Sequence, residues 1–301
     1  MAKTKSPLLS FDARGTIGEA LTLQKRGSNT IIREKPIPTD PYSLAQAYQR
    51  WDYRDYAYQW NTLSLSEREA YRSAASRLGL TIYAYYMRLQ LQTLPDLLAR
   101  WRLDNVIGGV TPDSSKQSKN ATVYGATPSP GFISNSLLFD GLNDWCECGT
   151  VFQDATKSVE CLVKPMSTHA VTGVIISAGS GATAGYGFLY TLLNSKFTVS
   201  EGRGSGGLYL PQVGTYTVGQ LYHLIVTYDK PTTTLSLYIN GALNNSASGG
   251  LHGAYTAVTT QLGRYGAGAS SYLSGYLDNV ILYNRVLDSL EIPRHSERRY
   301  P

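Results

Sequence analysis

The sequence predicts a mainly β protein, an antiparallel β-sandwich of the jelly-roll kind joined to a smaller N-terminal module of one β-hairpin and three helices. Three observations carry this. The 301 residues include 29 Gly and 23 Tyr with only 16% charged side chains, a balance that suits many short strands and turns around an apolar core. Short β-like runs at 158–163, 174–177, 187–192, 223–228, 235–239 and 276–282 are separated by glycine-punctuated breaks, the pattern of a sandwich. Ahead of these runs lie proline-bounded helical segments, so the expected division is 1–96 for the hairpin and helical module, 97–293 for the sandwich and 294–301 for a basic C-terminal tail.

In the N-terminal module, Leu8-Leu9-Ser10-Phe11, Ala20-Leu21-Thr22-Leu23 and Thr30-Ile31-Ile32 are β-like, and Arg26-Gly27-Ser28-Asn29 supplies a hairpin turn between the last two. Pro36, Pro38 and Pro41 make a stiff connector. Asp40 caps a first helix that has Pro41 at its first position and runs to about Asn61. Ser64-Leu65-Ser66-Glu67 is a capping box that opens a second helix ending near Leu78-Gly79, and a third runs from Thr81 to about Gln92. At roughly 100° per residue, Leu44, Ala47, Tyr48, Trp51 and Tyr58 form one stripe of the first helix, with Tyr42, Tyr53, Tyr56 and Trp60 nearly opposite. In the third helix Ile82, Tyr85, Tyr86 and Leu89 oppose Tyr83, Met87, Leu91 and Leu94. A helix apolar on two sides must be buried on both. The expectation is therefore that Tyr42, Tyr48, Trp51, Tyr53, Tyr56, Trp60, Tyr83 and Tyr86 contact other chains, copies of this one among them. The alternative is that the sandwich of the same chain covers the second stripe.

A net charge of +5 without a basic cluster argues against a nucleic-acid partner. No run of about 18 apolar residues is present, so no membrane-spanning helix is expected. The lysine-bearing start lacks the apolar stretch of a secretory signal, which places synthesis in the cytoplasm. Cys146 and Cys148 lie two apart on a strand, face the same way and are poorly placed to bond each other; with Cys161 they are expected as buried thiols. Catalysis is not expected. The Glu-x-Asp-x-x-Glu strand run that sets two glycosidase carboxylates on one face is missing, as are Gly-x-Ser-x-Gly, His-Glu-x-x-His and phosphate-binding loops. Gly202-Arg203-Gly204-Ser205-Gly206-Gly207 has no helix after it and is a loop. His223, flanked by apolar residues in a strand, is expected as a core histidine.

Six segments, in order, resemble the laminin G-like, concanavalin A-like jelly roll across nearly all of the sandwich region. They are Ala99-Arg100-Trp101-Arg102-Leu103-Asp104, Asp113-Ser114-Ser115, Leu138-Phe139-Asp140-Gly141, the run from Ser158 to Pro165 (with Leu162 where the family usually has tryptophan), the hairpin through Tyr222-His223 and Asn240-Gly241, and the closing strand through Gly275-Tyr276-Leu277-Asp278 to Ile292. The resemblance implies a structural calcium, with Asp113, Asp140 and Asp278 as ligands and Asp104 as a further candidate; the alternative is aspartates that cap turns. By fold analogy, the loop aromatics Tyr186, Tyr265 and Tyr272 are candidates to stack on glycan. Ser10-Phe11 with Gly15, Ile31-Ile32-Arg33, Gln46, Arg50 and Trp60-Asn61-Thr62-Leu63-Ser64 resemble N-terminal modules of bacteriophage and prophage structural proteins, with Tyr71 where tryptophan is usual. The combined expectation is a non-enzymatic virion structural protein, a capsid decoration or minor capsid protein that displays a lectin-like jelly roll and partners copies of itself and other particle proteins. The alternative is a glycan-binding adhesion protein, a tail fibre or surface lectin.

Overall fold

The computed structural model describes the backbone of residues 3–4, 15–17, 21–26 and 29–34, and residues 50–297 apart from 51, 55, 58–59, 62, 94–95, 116, 132–134, 153–154, 180–187, 203–207, 250–257 and 267–270. The chain forms two compact units, Met1–Ala47 and Tyr48–Pro301. In the first, β1 (Lys3–Thr4), β2 (Gly15–Ile17), β3 (Leu21–Arg26) and β4 (Asn29–Glu34) lie in sequential order in one antiparallel sheet. Arg26 pairs with Asn29, which is where the sequence puts the hairpin turn. The β-like run at 8–11 and the proline connector lie outside the described residues.

Among the described residues the second unit carries sixteen strands in two sheets. They begin with β5 (Leu97–Trp101), β6 (Val110–Thr111), β7 (Ala121–Tyr124), β8 (Thr127–Pro130), β9 (Asn135–Asp140), β10 (Trp145–Phe152), β11 (Lys157–Pro165) and β12 (Gly173–Ala178). They continue with β13 (Phe188–Leu193), β14 (Lys196–Glu201), β15 (Leu208–Thr215), β16 (Tyr222–Asp229), β17 (Thr234–Ile239), β18 (Ala242–Ser248), β19 (Val258–Leu262) and β20 (Ser274–Tyr283). The first sheet runs β15-β14-β13-β12-β19-β10-β7-β6; the second runs β18-β17-β16-β11-β20-β9-β8, with β5 also paired to β20. This is the antiparallel jelly-roll sandwich that the glycine-punctuated strands predict. Strand alternation sets the faces: in β10, Cys146 and Cys148 are buried while Trp145 and Glu147, which alternate with them, are half-buried on the other face. All three cysteines are free and buried, as expected. Between the sheets lies a core that includes Trp101, Phe139, Phe152, Tyr190, Phe197 and Tyr228. Asn240 and Gly241 hold φ of 51° and 82° between Ile239 and Ala242, the positive-φ pair that a two-residue hairpin needs.

The helices belong to this unit. The described residues between Arg50 and Asn61 are helical, followed by α1 (Leu65–Glu69), α2 (Arg72–Arg77), α3 (Ile82–Thr93) and, after the last strand, α4 (Glu291–Glu297). The capping box is present: Glu67 Oε2 accepts the Ser64 N–H at 2.7 Å, and Ser64 Oγ accepts the Glu67 N–H at 3.4 Å. The single second helix expected from 64 to 78 is instead α1 and α2, divided at Ala70 and Tyr71, where the Tyr71 ring turns against Tyr86 at 5.4 Å.

The outward face of the second sheet explains where the described members of the aromatic stripes go. Ile225, Ile281 and Tyr283 project from it, so this sheet is apolar on both faces and must be covered on both. Tyr56, Tyr86 and Met87 from the helices, with Leu287 and Ile292 beside and within α4, close over it in a second core. The boundary expected at 96/97 therefore falls at 47/48, and residues 294–297 are helix rather than tail, with His295 and Ser296 buried. The assignment of Tyr56 and Tyr86 to interchain contacts is corrected likewise: they are 6% and 3% exposed, covered by their own chain. Trp60 and Tyr83 pack against the same core, Tyr53 is 48% exposed, and Tyr42, Tyr48 and Trp51 lie outside the described residues.

Candidate functional site at the loop rim

One end of the sandwich gathers the loops 125–126, 141–144, 166–172, 194–195 and 216–221 with residues 263–266 and 271–273, because β9, β11, β15 and β19 end there and β10, β12, β16 and β20 begin there. Pairings across the second sheet, Ser274 with Asp140 and Pro165 with Gly275, place three of these loops side by side. They enclose a cleft of about 250 Å³ lined by Gly141, Ser167, His169, Ala170, Val171, Thr172, Ser271, Tyr272 and Ser274. Among the described residues the lining contains five hydroxyl side chains and no carboxylate.

His169 forms the floor. It is buried, and its Nε2 accepts the Ser274 N–H at 3.1 Å, which requires the proton on Nδ1. Nδ1–H then donates to Tyr216 Oη at 3.0 Å, and Tyr216 donates on to the Ser167 carbonyl at 3.2 Å. Burial lowers the His169 pKa, so the imidazole is held neutral. The chain can pass this ring only because residue 173 is glycine; any Cβ there would overlap His169. Around the cleft stand Leu142 and Val171, each 75% exposed, and Met166 and Val218 at 44% and 42%.

An aromatic stack stands on the adjoining edge of the first sheet. Tyr124 and Trp145 are direct cross-strand partners on β7 and β10, with ring centroids 4.2 Å apart and 7° between planes. Arg264, just after β19, lies 3.1 Å from the Trp145 ring centroid. The Gly263 N–H bonds the Ile175 carbonyl and the Leu273 N–H bonds the Gly263 carbonyl, tying this segment to the cleft loops.

Of the tyrosines expected at a sugar, Tyr272 lines the cleft, Tyr265 is half-buried with burial raising its pKa, and Tyr186 lies outside the described residues. His169, Trp145, Tyr124 and Arg264 did not emerge from the sequence reading. Alternation of Trp145 and Glu147 against the two buried cysteines was the available signal for an outward face.

The aspartates proposed for calcium serve other bonds or stand apart. Asp113 Oδ1 accepts the N–H groups of Arg100 and Ser115, and Oδ2 accepts Ser115 Oγ–H and the Lys119 N–H. Asp140 Oδ1 accepts the N–H groups of Leu142 and Asn143. Both carboxylates cap turns. Asp278 is fully buried within β20, and Asp104 is half-buried after β5. Among the described residues no group of three or more His, Cys, Asp or Glu is placed to hold a metal ion.

His223 is a core histidine, as expected, within a polar cluster beneath α4. Its Nε2–H donates to Glu160 Oε1 at 3.2 Å, while His295 Nδ1–H and Tyr283 Oη–H donate to Glu160 Oε2 at 2.8 and 3.0 Å. Burial, and then neighbouring His295, lowers His223 to about 3. Burial likewise lowers His295 to about 4, against the pull of Glu291. The cluster pins the C-terminal helix to the sheet.

A two-sheet jelly roll with a hydroxyl-lined cleft at its loop rim defines a lectin-like β-sandwich. The chain belongs to the concanavalin A-like lectin/glucanases superfamily, whose laminin G-like family model matches residues 141–293. Comparison with curated proteins finds no match. Similar solved structures include the Trypanosoma rangeli sialidase in complex with sialic acid, at 18% identity and TM-score 0.52 over 67% of this chain and 32% of that one. Domain 4 of an extracellular GH43 arabinanase from Geobacillus stearothermophilus, in complex with arabinotriose, matches at 16% identity and TM-score 0.54 over 67% of this chain and 98% of the domain. The binding domain of a Paraclostridial mosquitocidal protein matches at 15% identity and TM-score 0.52, over 67% of this chain and 52% of that one. The chain thus spans about a third of the sialidase it matches.

Proposed function

We propose that the protein is a non-enzymatic carbohydrate-binding protein that holds a sugar unit in the rim cleft. The observation that carries this is the lining. Ser167, Thr172, Ser271, Tyr272 and Ser274 offer hydroxyls to a polyol, and Tyr272 and Val171 offer apolar surface to the ring's C–H groups. Glycoside hydrolysis needs two carboxylates about 5–10 Å apart, and the described lining residues include none. The arabinotriose held by the similar arabinanase domain supports the same reading. A glycan array probed with the full chain tests it. The expected result is retention of a defined glycan set, with Tyr272→Ala weakening binding about 10-fold or more. No retained glycan, or binding indifferent to Tyr272→Ala, would overturn the cleft assignment.

A second reading places this module on a phage-like particle as a capsid decoration or minor capsid protein. It is favoured by the resemblance of the N-terminal segment and by the division into a small sheet unit, Met1–Ala47, and a lectin-like unit. Deleting residues 1–47 should then abolish co-sedimentation with particles while leaving glycan retention intact; particles that still carry the truncated chain would refute it.

A further inference from the structure

A second constellation stands on the outward face of the first sheet, apart from the cleft lining. Trp145 and Glu147 project from β10 opposite the buried cysteines, and cross-strand pairing sets Tyr124 beside Trp145 and Gln261 beside Glu147. Because β10 lies between β7 and β19, Tyr124 and Arg264 reach Trp145 from opposite neighbours. Arg264 Nε–H donates to Gln261 Oε1 at 3.1 Å, and Gln261 Nε2–H donates to Glu147 Oε2 at 2.9 Å. The guanidinium is thereby fixed by the indole and by one hydrogen bond. Its terminal amino groups make no hydrogen bond or ion pair among the described residues. Arg100 and Arg285, by contrast, are spent on carboxylates: Arg100 on Asp52, Arg285 on Glu291 and Asp96.

A pre-oriented guanidinium with its outer N–H fork open is the geometry that takes a planar carboxylate through two parallel bonds. Gln261 stands between Arg264 and Glu147, so the acid does not pair with the guanidinium. Tyr124, 45% exposed, adds an aromatic face at the same edge. We propose that Arg264 anchors a binding site for acidic sugars, its outer N–H groups taking the carboxylate of a uronic- or sialic-type residue and Glu147 accepting sugar hydroxyls, while the free face of Tyr124, on the far side of the Trp145 ring, stacks on a further sugar unit of the same glycan. The site rests on the carbohydrate-binding reading but uses residues separate from the cleft.

The test is an array of glycans printed in pairs, each acidic sugar beside its counterpart with the carboxylate reduced to an alcohol, plus sulfated glycans. It is probed with the full chain and with Arg264→Met, Arg264→Lys, Tyr124→Ala and Tyr272→Ala. Carboxylated members should be retained over their reduced partners. Arg264→Met should weaken them about 10- to 100-fold, the loss of a charge-assisted bidentate contact. Arg264→Lys should restore only part of this, since a point charge lacks the fork. Tyr124→Ala should weaken carboxylated and reduced partners alike, and Tyr272→Ala should leave the carboxylate preference in place. Retention of neutral or sulfated glycans without a carboxylate preference, or an Arg264→Met chain that keeps that preference, would overturn this site while the carbohydrate-binding reading stands. No retention of any glycan would overturn both.

Discussion

Replacing Tyr86 with alanine separates a helical layer that belongs to the sandwich from one that serves other chains. The Tyr86 ring is 3% exposed, 5.2 Å from Trp60 and 5.4 Å from Tyr71 between centroids, and shares its core with Ile225, Ile281 and Tyr283 of the second sheet. Truncating a large aromatic in such a core costs about 3–5 kcal/mol. In a unit of this size each kcal/mol lowers Tm by about 2–4 °C, so the fall should be roughly 6–20 °C. Tyr53→Ala, at a position 48% exposed, should cost about 1 kcal/mol or less and serves as the control. Calorimetry reads the transition, and light scattering on the same samples reads the association state. Since helices and sheet share one core, the sandwich transition itself should move and the association state should not. A sandwich melting at the parent temperature, with a changed association state, would refute the shared core and restore the interchain role.

Acid should destabilise the second unit through the Glu160 cluster. His223 and His295 are held neutral, lowered to about 3 and about 4, and titrate near 6.5 when unfolded. Their contribution is therefore complete above about pH 6.5 and is lost as pH falls toward 4 and then 3. Denaturant midpoints should drop across that range, and His295→Gln should flatten the slope by one proton; an unchanged slope would mean that His295 is already charged in the fold. Asp113→Ala removes the acceptor of four bonds and should cost about 2–4 kcal/mol, equally with calcium or with EDTA, measured by chemical denaturation. A parent Tm lowered by EDTA and restored by calcium would return the aspartates to the metal reading. Cys146, Cys148 and Cys161 are buried, and burial raises each thiol's pKa, so none should react with a disulfide reagent until denaturant unfolds the sandwich; labelling of the native chain would contradict their placement.

How much of this was legible in advance follows from the range of each interaction. The capping box at Ser64 and Glu67, the Asn240-Gly241 turn and the shared face of Cys146 and Cys148 each depend on residues within a few positions of one another. Local periodicity and turn chemistry alone determine them, and the structure has them where the sequence puts them. Burial of His223 was legible in the same way, from its apolar neighbours in a strand. The two opposed aromatic stripes were legible as faces needing cover, but what covers them was not. Periodicity says which way a side chain points and nothing about what it meets. For the described members, Tyr56, Tyr86 and Met87 among them, the outer face of the second sheet supplied that cover through strands more than a hundred residues further along the chain. The same limit hid the sites. Glu160 meets His295 from 135 residues away, and Arg264 meets Trp145 only because β19 pairs beside β10 in one register. Shifting that pairing by one residue would turn Gln261 into the core, so the outer-face site exists only once the antiparallel register between distant strands has been chosen by the packing of the whole sandwich.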